Sequence, residues 1–433
     1  ATAMVSRFSN NEILVFNKYE LFVHNLSSNA YSSVGTAQPT ALFGLADNLA
    51  AYTTQQNDFF LVSKAKDSFT VLGPFTGHQD NITSIIYNAD KEQVYTSSVD
   101  GSIKIWDKNK IEQILTVVAI GRSNCIYITP DNYYMMSNKG LASFGFKKED
   151  KFYFPEQFDP IYNRPDIVLD RLGYADQTLI DAYYRAYQKR IKKLGFTEEM
   201  LQNDFHLPTI EVKNIDNIQS ITDTASIKLD LNATDTKYAL DRINVWINDV
   251  AAFGTNGVSV KNTNTNKVEK ELTISLAKGQ NKVEVSSVNQ AGAESYKETF
   301  TINCTAGKPK PDLYIITIGV STYSDKRFNL KYAAKDATDM IEAFKNNPSF
   351  EKVYAKTLTN QEVTIENIQQ LKAFLAAADI NDQVIVFVAG HGLLDTKYDY
   401  YYASYNMDFK NPETKGIPYE AIEDLLDGIK PLK

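Results

Sequence analysis

From Asp312 onward, apolar residues alternate between two rhythms. Unbroken runs, Leu313 to Val320, Val353 to Leu358 and Val384 to Val388, read as strands buried on both faces. Between them, Ala333, Ala337, Met340, Ile341 and Phe344, then Ile365, Ile368, Leu371 and Leu375, recur at helical spacing. An aromatic β segment, Tyr398 to Tyr405, and a helix starting near Pro418 follow. Strands alternating with helices predict a mostly parallel sheet with right-handed crossovers. The Val384–Val388 run, entered through the turn Asn381-Asp382 and left through Gly390-His391-Gly392, is expected in the middle of that sheet.

Earlier stretches keep other rhythms. Strict alternation marks Ile227/Leu229/Leu231, Ile243/Val245/Ile247, Leu272/Ile274/Leu276 and Val283/Val285, with turn signals such as Asn256-Gly257 and Lys278-Gly279 between them. This predicts an immunoglobulin-like β-sandwich over 208–306, a spacer held by core packing alone. Residues 1–148 carry short aromatic and branched runs: Tyr19 to Val23, Phe59 to Val62, Ile103 to Asp107 and Leu141 to Phe144. Their anchors Lys18, Asp58, Gly101 and Gly140 stand 40, 43 and 39 residues apart. That period, with Gly77-His78, Trp106-Asp107 and the Asp100-Gly101 turn, predicts WD40 blades. About four blades are fewer than most closed propellers need, so a partial propeller is expected, with earlier blades and the true N-terminus lying outside this sequence. Residues 149–207 read as a connector: an aromatic, Pro-rich strap, then a helix capped by Asp176 and stopped by Gly195. Its stripe of Leu179, Tyr183, Ala186, Tyr187, Ile191 and Leu194 is expected to dock on a neighbouring domain. Lys308-Pro309-Lys310-Pro311 is a stiff linker into an α/β domain over 307–433.

The net charge of −8 over 433 residues argues against nucleic acid or an anionic membrane as partner. The basic cluster Arg185 and Lys189 to Lys193 is expected to be a solvated helix face. Cys125 and Cys304 cannot build a disulfide framework, and four scattered histidines show no metal-ligand spacing, so neither metal nor cofactor is expected. No apolar run reaches membrane-span length, and no signal peptide opens the sequence, which leaves the compartment unassigned.

Candidate chemistry sits where the last unbroken strand ends. In open α/β sheets, ligands gather at the C-terminal strand ends. A histidine between two glycines there is exposed and closely approachable, which favours chemistry over the plainer reading of a polar residue that ends a strand. Ile318 to Tyr323, Ala334-Lys335-Asp336-Ala337 and Val388 to Gly392 together resemble the caspase-type cysteine peptidases, nearest the bacterial, metacaspase and paracaspase branches. Tyr162-Asn163-Arg164-Pro165-Asp166 is similar to a segment of bacterial proteins that fuse WD40 repeats to such a domain.

The resemblance implies a Cys-His dyad with His391 as general base and the Gly392 N–H as oxyanion donor. The cysteine is expected about 50 residues past the histidine, and only 42 residues follow His391. Cys304 lies 87 residues upstream and Cys125 in the repeats, so neither is expected to be the nucleophile. The expectation is a chain cut before its cysteine loop and inactive alone, with the rest of the peptidase domain as a partner. Asp-cleaving relatives carry an arginine about six residues before the Asp-Ala pair; here that position is Leu330. The resemblance therefore implies Asp336 as the acid of a pocket for Arg or Lys, with calcium activation left open. The protein is expected to be an endopeptidase acting on protein or peptide substrates, with propeller and sandwich recruiting them. The competing reading is a non-catalytic scaffold working through the propeller. No G-x-S-x-G elbow supports serine-hydrolase chemistry.

Overall fold

The computed structural model describes residues 3–66, 68–136, 145–148, 150–201, 206–307 and 310–432. The described chain is mostly strand, arranged in many sheets. It forms two compact units: 1–146 with 154–156 and 162–180, and 147–153 with 157–161 and 181–433.

The first unit contains three antiparallel meanders in sequence order: four strands over Met4–Gly35, four over Ala41–Phe75 and six over Ile82–Met136. Alternate residues of neighbouring meanders share cores. Phe8, Leu14 and Leu21 pack with Ala50 and Val62. Phe59 and Phe75 pack with Ile82, Val94 and Trp106. The predicted anchor Gly140 and the run Leu141 to Phe144 lie outside the described residues.

His78 and Trp106, from the Gly-His and Trp-Asp pairs, meet in a buried knot. His78 Nδ1 lies 2.9 Å from Asp100 Oδ2 and its Nε2 lies 2.7 Å from Thr96 Oγ1. Trp106 Nε1 donates to the same hydroxyl at 2.8 Å. Burial lowers the His78 pKa against the pull of Asp100. Burial raises that of Asp100, but hydrogen bonds from Ser102, the Gln79 amide and His78 outweigh it and hold the carboxyl well below its usual range. Both groups therefore bind fewer protons folded than unfolded. The His78 contribution is complete above its unfolded pKa of ~6.5 and is lost as pH falls toward the folded value; the Asp100 contribution is lost below ~3.9. Trp106 fluorescence in a Trp246→Phe variant should report a urea midpoint that falls from pH 7.5 to pH 3. Asp100→Asn should shrink the part of the fall below about pH 4. An equal slope in both proteins would show that the knot does not couple to folding.

In the second unit, residues 209–304 form two sheets. One has the order Thr209–Val212, Ser226–Thr234, Lys267–Ser275. The other runs Ile221–Thr222, Glu298–Cys304, Gly279–Asn289, Leu240–Ile247, Val250–Ala251. The alternating residues Leu229, Leu231, Ile243, Val245, Ile274 and Val283 of both sheets make one core.

Helix α1, Gln177–Lys193, starts where Asp176 Oδ1 accepts the Leu179 N–H at 2.9 Å. After Leu194, Gly195 takes a φ of 77°. The expected stripe is corrected: Tyr183 and Ala186 are exposed, while Tyr184, Tyr187, Ile191 and Leu194 pack with Phe196 and Val288. Tyrosines at adjacent positions fit either face by composition, and the face against Val288 decides.

The parallel sheet has three strands, β1 (Leu313–Gly319), β2 (Val353–Thr359) and β3 (Gln383–Ala389), in the order β2-β1-β3. Leu313 is level with both Val353 and Gln383. Helices α2 (Ala333–Phe344) and α3 (Ile365–Leu375) connect them. Here an expectation is corrected for the described residues: the middle strand is β1, buried at every position, whereas β3 pairs with β1 alone and its residues are all half-buried. An unbroken apolar run reports covered faces and does not report how many strands pair with its edges.

Candidate active site at the end of strand β3

Gly319 lets helix α2 approach the end of β1. A Cβ there would lie 2.8 Å from Ala337 Cβ and strike the Ala333 carbonyl, so no side chain fits. Past Val320, the loop to α2 is tied at several points. Ser321 and Thr322 N–H both donate to Asn360 Oδ1, at 2.9 and 3.0 Å, and Tyr323 N–H donates to Asn329 Oδ1 at 2.9 Å. Ser321 Oγ accepts the Ala334 N–H at 2.8 Å, capping the first turn of α2. These bonds fix the Phe328 carbonyl over the end of β3.

His391 follows β3 and sits in an aromatic frame. Its ring centroid lies 5.3 Å from Tyr323, 6.3 Å from Phe328 and 5.6 Å from Phe409, the last two edge-on, while Phe328 and Phe409 stack at 3.7 Å. The backbone N–H of His391 donates to Tyr323 Oη at 3.2 Å, and that hydroxyl donates to the Val320 carbonyl at 3.1 Å. Burial pushes the Tyr323 pKa up, which keeps its proton in place.

The imidazole Nε2 lies 2.9 Å from the Phe328 carbonyl oxygen. A carbonyl only accepts, so Nε2 carries the hydrogen. In a neutral ring bonded this way the lone pair sits on Nδ1. This orienting partner has no sequence signal, because it is a backbone oxygen.

The flanking glycines make room for two tyrosines. Strand β4 (Gly392–Leu394) pairs antiparallel with β5 (Tyr400–Tyr402), and β5 with β6 (Ile417–Pro418). A Cβ at Gly390 would lie 2.7 Å from Tyr402 Oη, a buried hydroxyl that donates to the Ala389 carbonyl at 2.7 Å. At Gly392 a Cβ would collide with the Tyr400 hydroxyl, the tip of a half-exposed side chain that can swing away. Gly390 is thus the stricter requirement.

Ala403 N–H donates to the His391 carbonyl at 2.9 Å, while Gly392 is level with Tyr402. That register makes Gly392–Tyr402 a non-hydrogen-bonded pair, so the Gly392 N–H points away from β5. Among the described residues no strand pairs with the other side of β4 and Gly392 is exposed, so this donor points away from the hairpin beside His391.

Asp336 lies in the first turn of α2 and is exposed. No hydrogen bond among the described residues ties its carboxylate to the His391 frame. Leu330 is half-buried against the core of this domain. Cys304 is buried between the two sheets, its thiol 3.4 Å from the Thr224 carbonyl, and Cys125 lies in the strand Asn124–Ile128. Among the described residues no group of three or more His, Cys, Asp or Glu could hold a metal ion, and no helix is long and apolar enough to cross a membrane.

Residues 314–430 match the family model of the caspase domain, and residues 69–107 match that of the WD domain, G-beta repeat. The chain thus joins a WD40 repeat to a caspase domain. No curated protein matches it. Among solved structures, "Structure of U3-55K" is 13% identical over 31% of this chain and 54% of that one, with a TM-score of 0.22. "Structures of Clostridium thermocellum CbhA fibronectin(III)-like modules" is 10% identical over 23% of this chain and 100% of that one, at 0.18. The chain spans about half the length of the first of these.

Proposed function

We propose that residues 307–433 are the histidine-bearing part of a caspase-type cysteine endopeptidase. The observation that carries this reading is the Nε2–H bond from His391 to the Phe328 carbonyl, which leaves Nδ1 free to take a proton from a thiol. A thiol becomes a strong nucleophile only as thiolate. His391 would take that proton and return it to the leaving amine, while the Gly392 N–H, open at the β4 edge, stabilises the oxyanion. Neither Cys125 nor Cys304 is the nucleophile in this reading. Asp336 is assigned to a pocket for Arg or Lys. The meanders of residues 1–148 act as blades of a propeller, and the two sheets of 208–306 as an immunoglobulin-like spacer, together recruiting protein substrates.

The 433-residue chain alone should therefore not hydrolyse Arg or Lys peptide amides. Turnover that survives a Cys125→Ser, Cys304→Ser double variant and ignores iodoacetamide would overturn the cysteine-peptidase reading.

A further inference from the structure

The basic cluster of α1, expected to be a solvated face, keeps Lys189 exposed but also makes ion pairs through three of its residues. Arg185, Lys189 and Lys193, spaced i, i+4 and i+8, form one ridge. Lys189 Nζ lies 2.7 Å from Asp399 and 2.9 Å from Glu420. Lys193 Nζ lies 3.0 Å from Asp424. Arg185 donates to the Lys397 carbonyl and sits 3.9 Å from Asp399. All these partners belong to the turn between β4 and β5 or to the segment of helix α4 (Tyr419–Glu423) and the residue after it.

The turn itself is strained. Tyr398 adopts a φ of 65°, in the left-handed region where a bulky side chain is costly. Such conformations persist only where neighbours over-determine them. Asp395 Oδ1 does so from within, accepting Lys397 N–H at 2.8 Å and Asp399 N–H at 2.9 Å. Arg185 and Lys189 do so from outside.

The two sides of α1 differ in kind. Toward the two-sheet region it is fixed by buried contacts: Tyr187 and Ile191 against Val288, and Arg242 Nη2 donating to the Leu194 carbonyl at 2.6 Å. Toward the hairpin the contacts found among the described residues are these ion pairs and the Arg185 bond to the Lys397 carbonyl, with Lys189 side-chain exposure at 51% and Asp424 at 55%. Exposed pairs are individually weak and screened by salt.

We propose that α1, which lies outside the residues matching the caspase domain, is a latch on the β4–β5 hairpin. Lys189, with Arg185, is a positioning residue. It fixes the hairpin whose first residue, Gly392, presents its N–H beside His391, and it releases the hairpin when the ridge is screened or neutralised. Its consequence for catalysis rests on the proposed oxyanion role of Gly392. The latch itself does not, and its test needs no peptidase activity.

Amide hydrogen exchange on the full chain tests it. Leu393 and Tyr401, level with each other across the hairpin, and Ala403, bonded to the His391 carbonyl, are the reporters. In Lys189→Glu these amides should exchange about fivefold faster or more, with the β1 amides unchanged. Raising NaCl from 50 mM to 0.5 M should do the same to the unchanged protein. The charge swap Lys189→Glu with Asp399→Lys should recover at least half of the protection. Should Lys189→Glu loosen the whole unit, Arg185→Ala and the salt series carry the test. Unchanged reporter exchange in Arg185→Ala and at high salt, or no recovery in the swap, would overturn the latch.

Discussion

In a caspase domain complete with its cysteine, His391→Ala is expected to lower kcat about a thousandfold or more, with KM little changed. The loss follows from how the ring is held. The Phe328 carbonyl takes the Nε2 hydrogen, so one nitrogen orients the ring and the other is left for the proposed proton transfer. Without the imidazole, the thiol keeps its proton at neutral pH, and nothing returns one to the departing amine. Tyr323→Phe is a graded control. It removes the hydroxyl that accepts the His391 N–H, but leaves the Phe328 bond, so a loss of about tenfold is expected. Steady-state turnover of a fluorogenic Arg amide, beside the rate of thiol alkylation by iodoacetamide, measures both. A His391→Ala enzyme within tenfold of the parent would remove His391 from the base role.

The sequence exposed some of this arrangement and hid the rest for physical reasons. Helical spacing located α1, α2 and α3, because one buried stripe must recur with the helical period. The Gly-His and Trp-Asp pairs located a repeat, since the knot around Thr96 needs the His78 and Trp106 side chains. Strand order was hidden: the apolar run of β3 looks the same at an edge as in the middle. The partners of His391 were hidden more deeply. The Phe328 contact is a main-chain oxygen, and Tyr323 and Phe409 are distant in sequence. Two glycines around a histidine signalled close approach, yet the tyrosines that approach, Tyr400 and Tyr402, could only be found by pairing β4 with β5. The ridge of α1 shows what composition leaves out. Its charges suggested solvent, and Lys189 is exposed, but the acids it pairs with lie more than two hundred residues further along the chain.

The complete enzyme is expected to cleave after Arg or Lys about a hundredfold faster than after Asp in matched fluorogenic peptides. Asp336 is the group assigned to this preference. In the free domain its carboxylate is exposed, and a charge pair left in water yields only about 1 kcal/mol at 4 Å. A hundredfold needs about 2.7 kcal/mol. The bound side chain must therefore cover Asp336 and exclude water from it, while an Asp at the same place meets a like charge as it is desolvated. The rival account places the carboxylate on the first turn of α2, where the helix N-terminus favours any acid. That account predicts a small loss of stability in Asp336→Ala and no change in substrate choice. The pocket account predicts that Asp336→Ala erases most of the Arg and Lys preference through KM as well as kcat, while iodoacetamide reacts with the active cysteine at its former rate. Faster cleavage after Asp in the parent enzyme, or an unaltered preference in the variant, would take Asp336 out of the pocket.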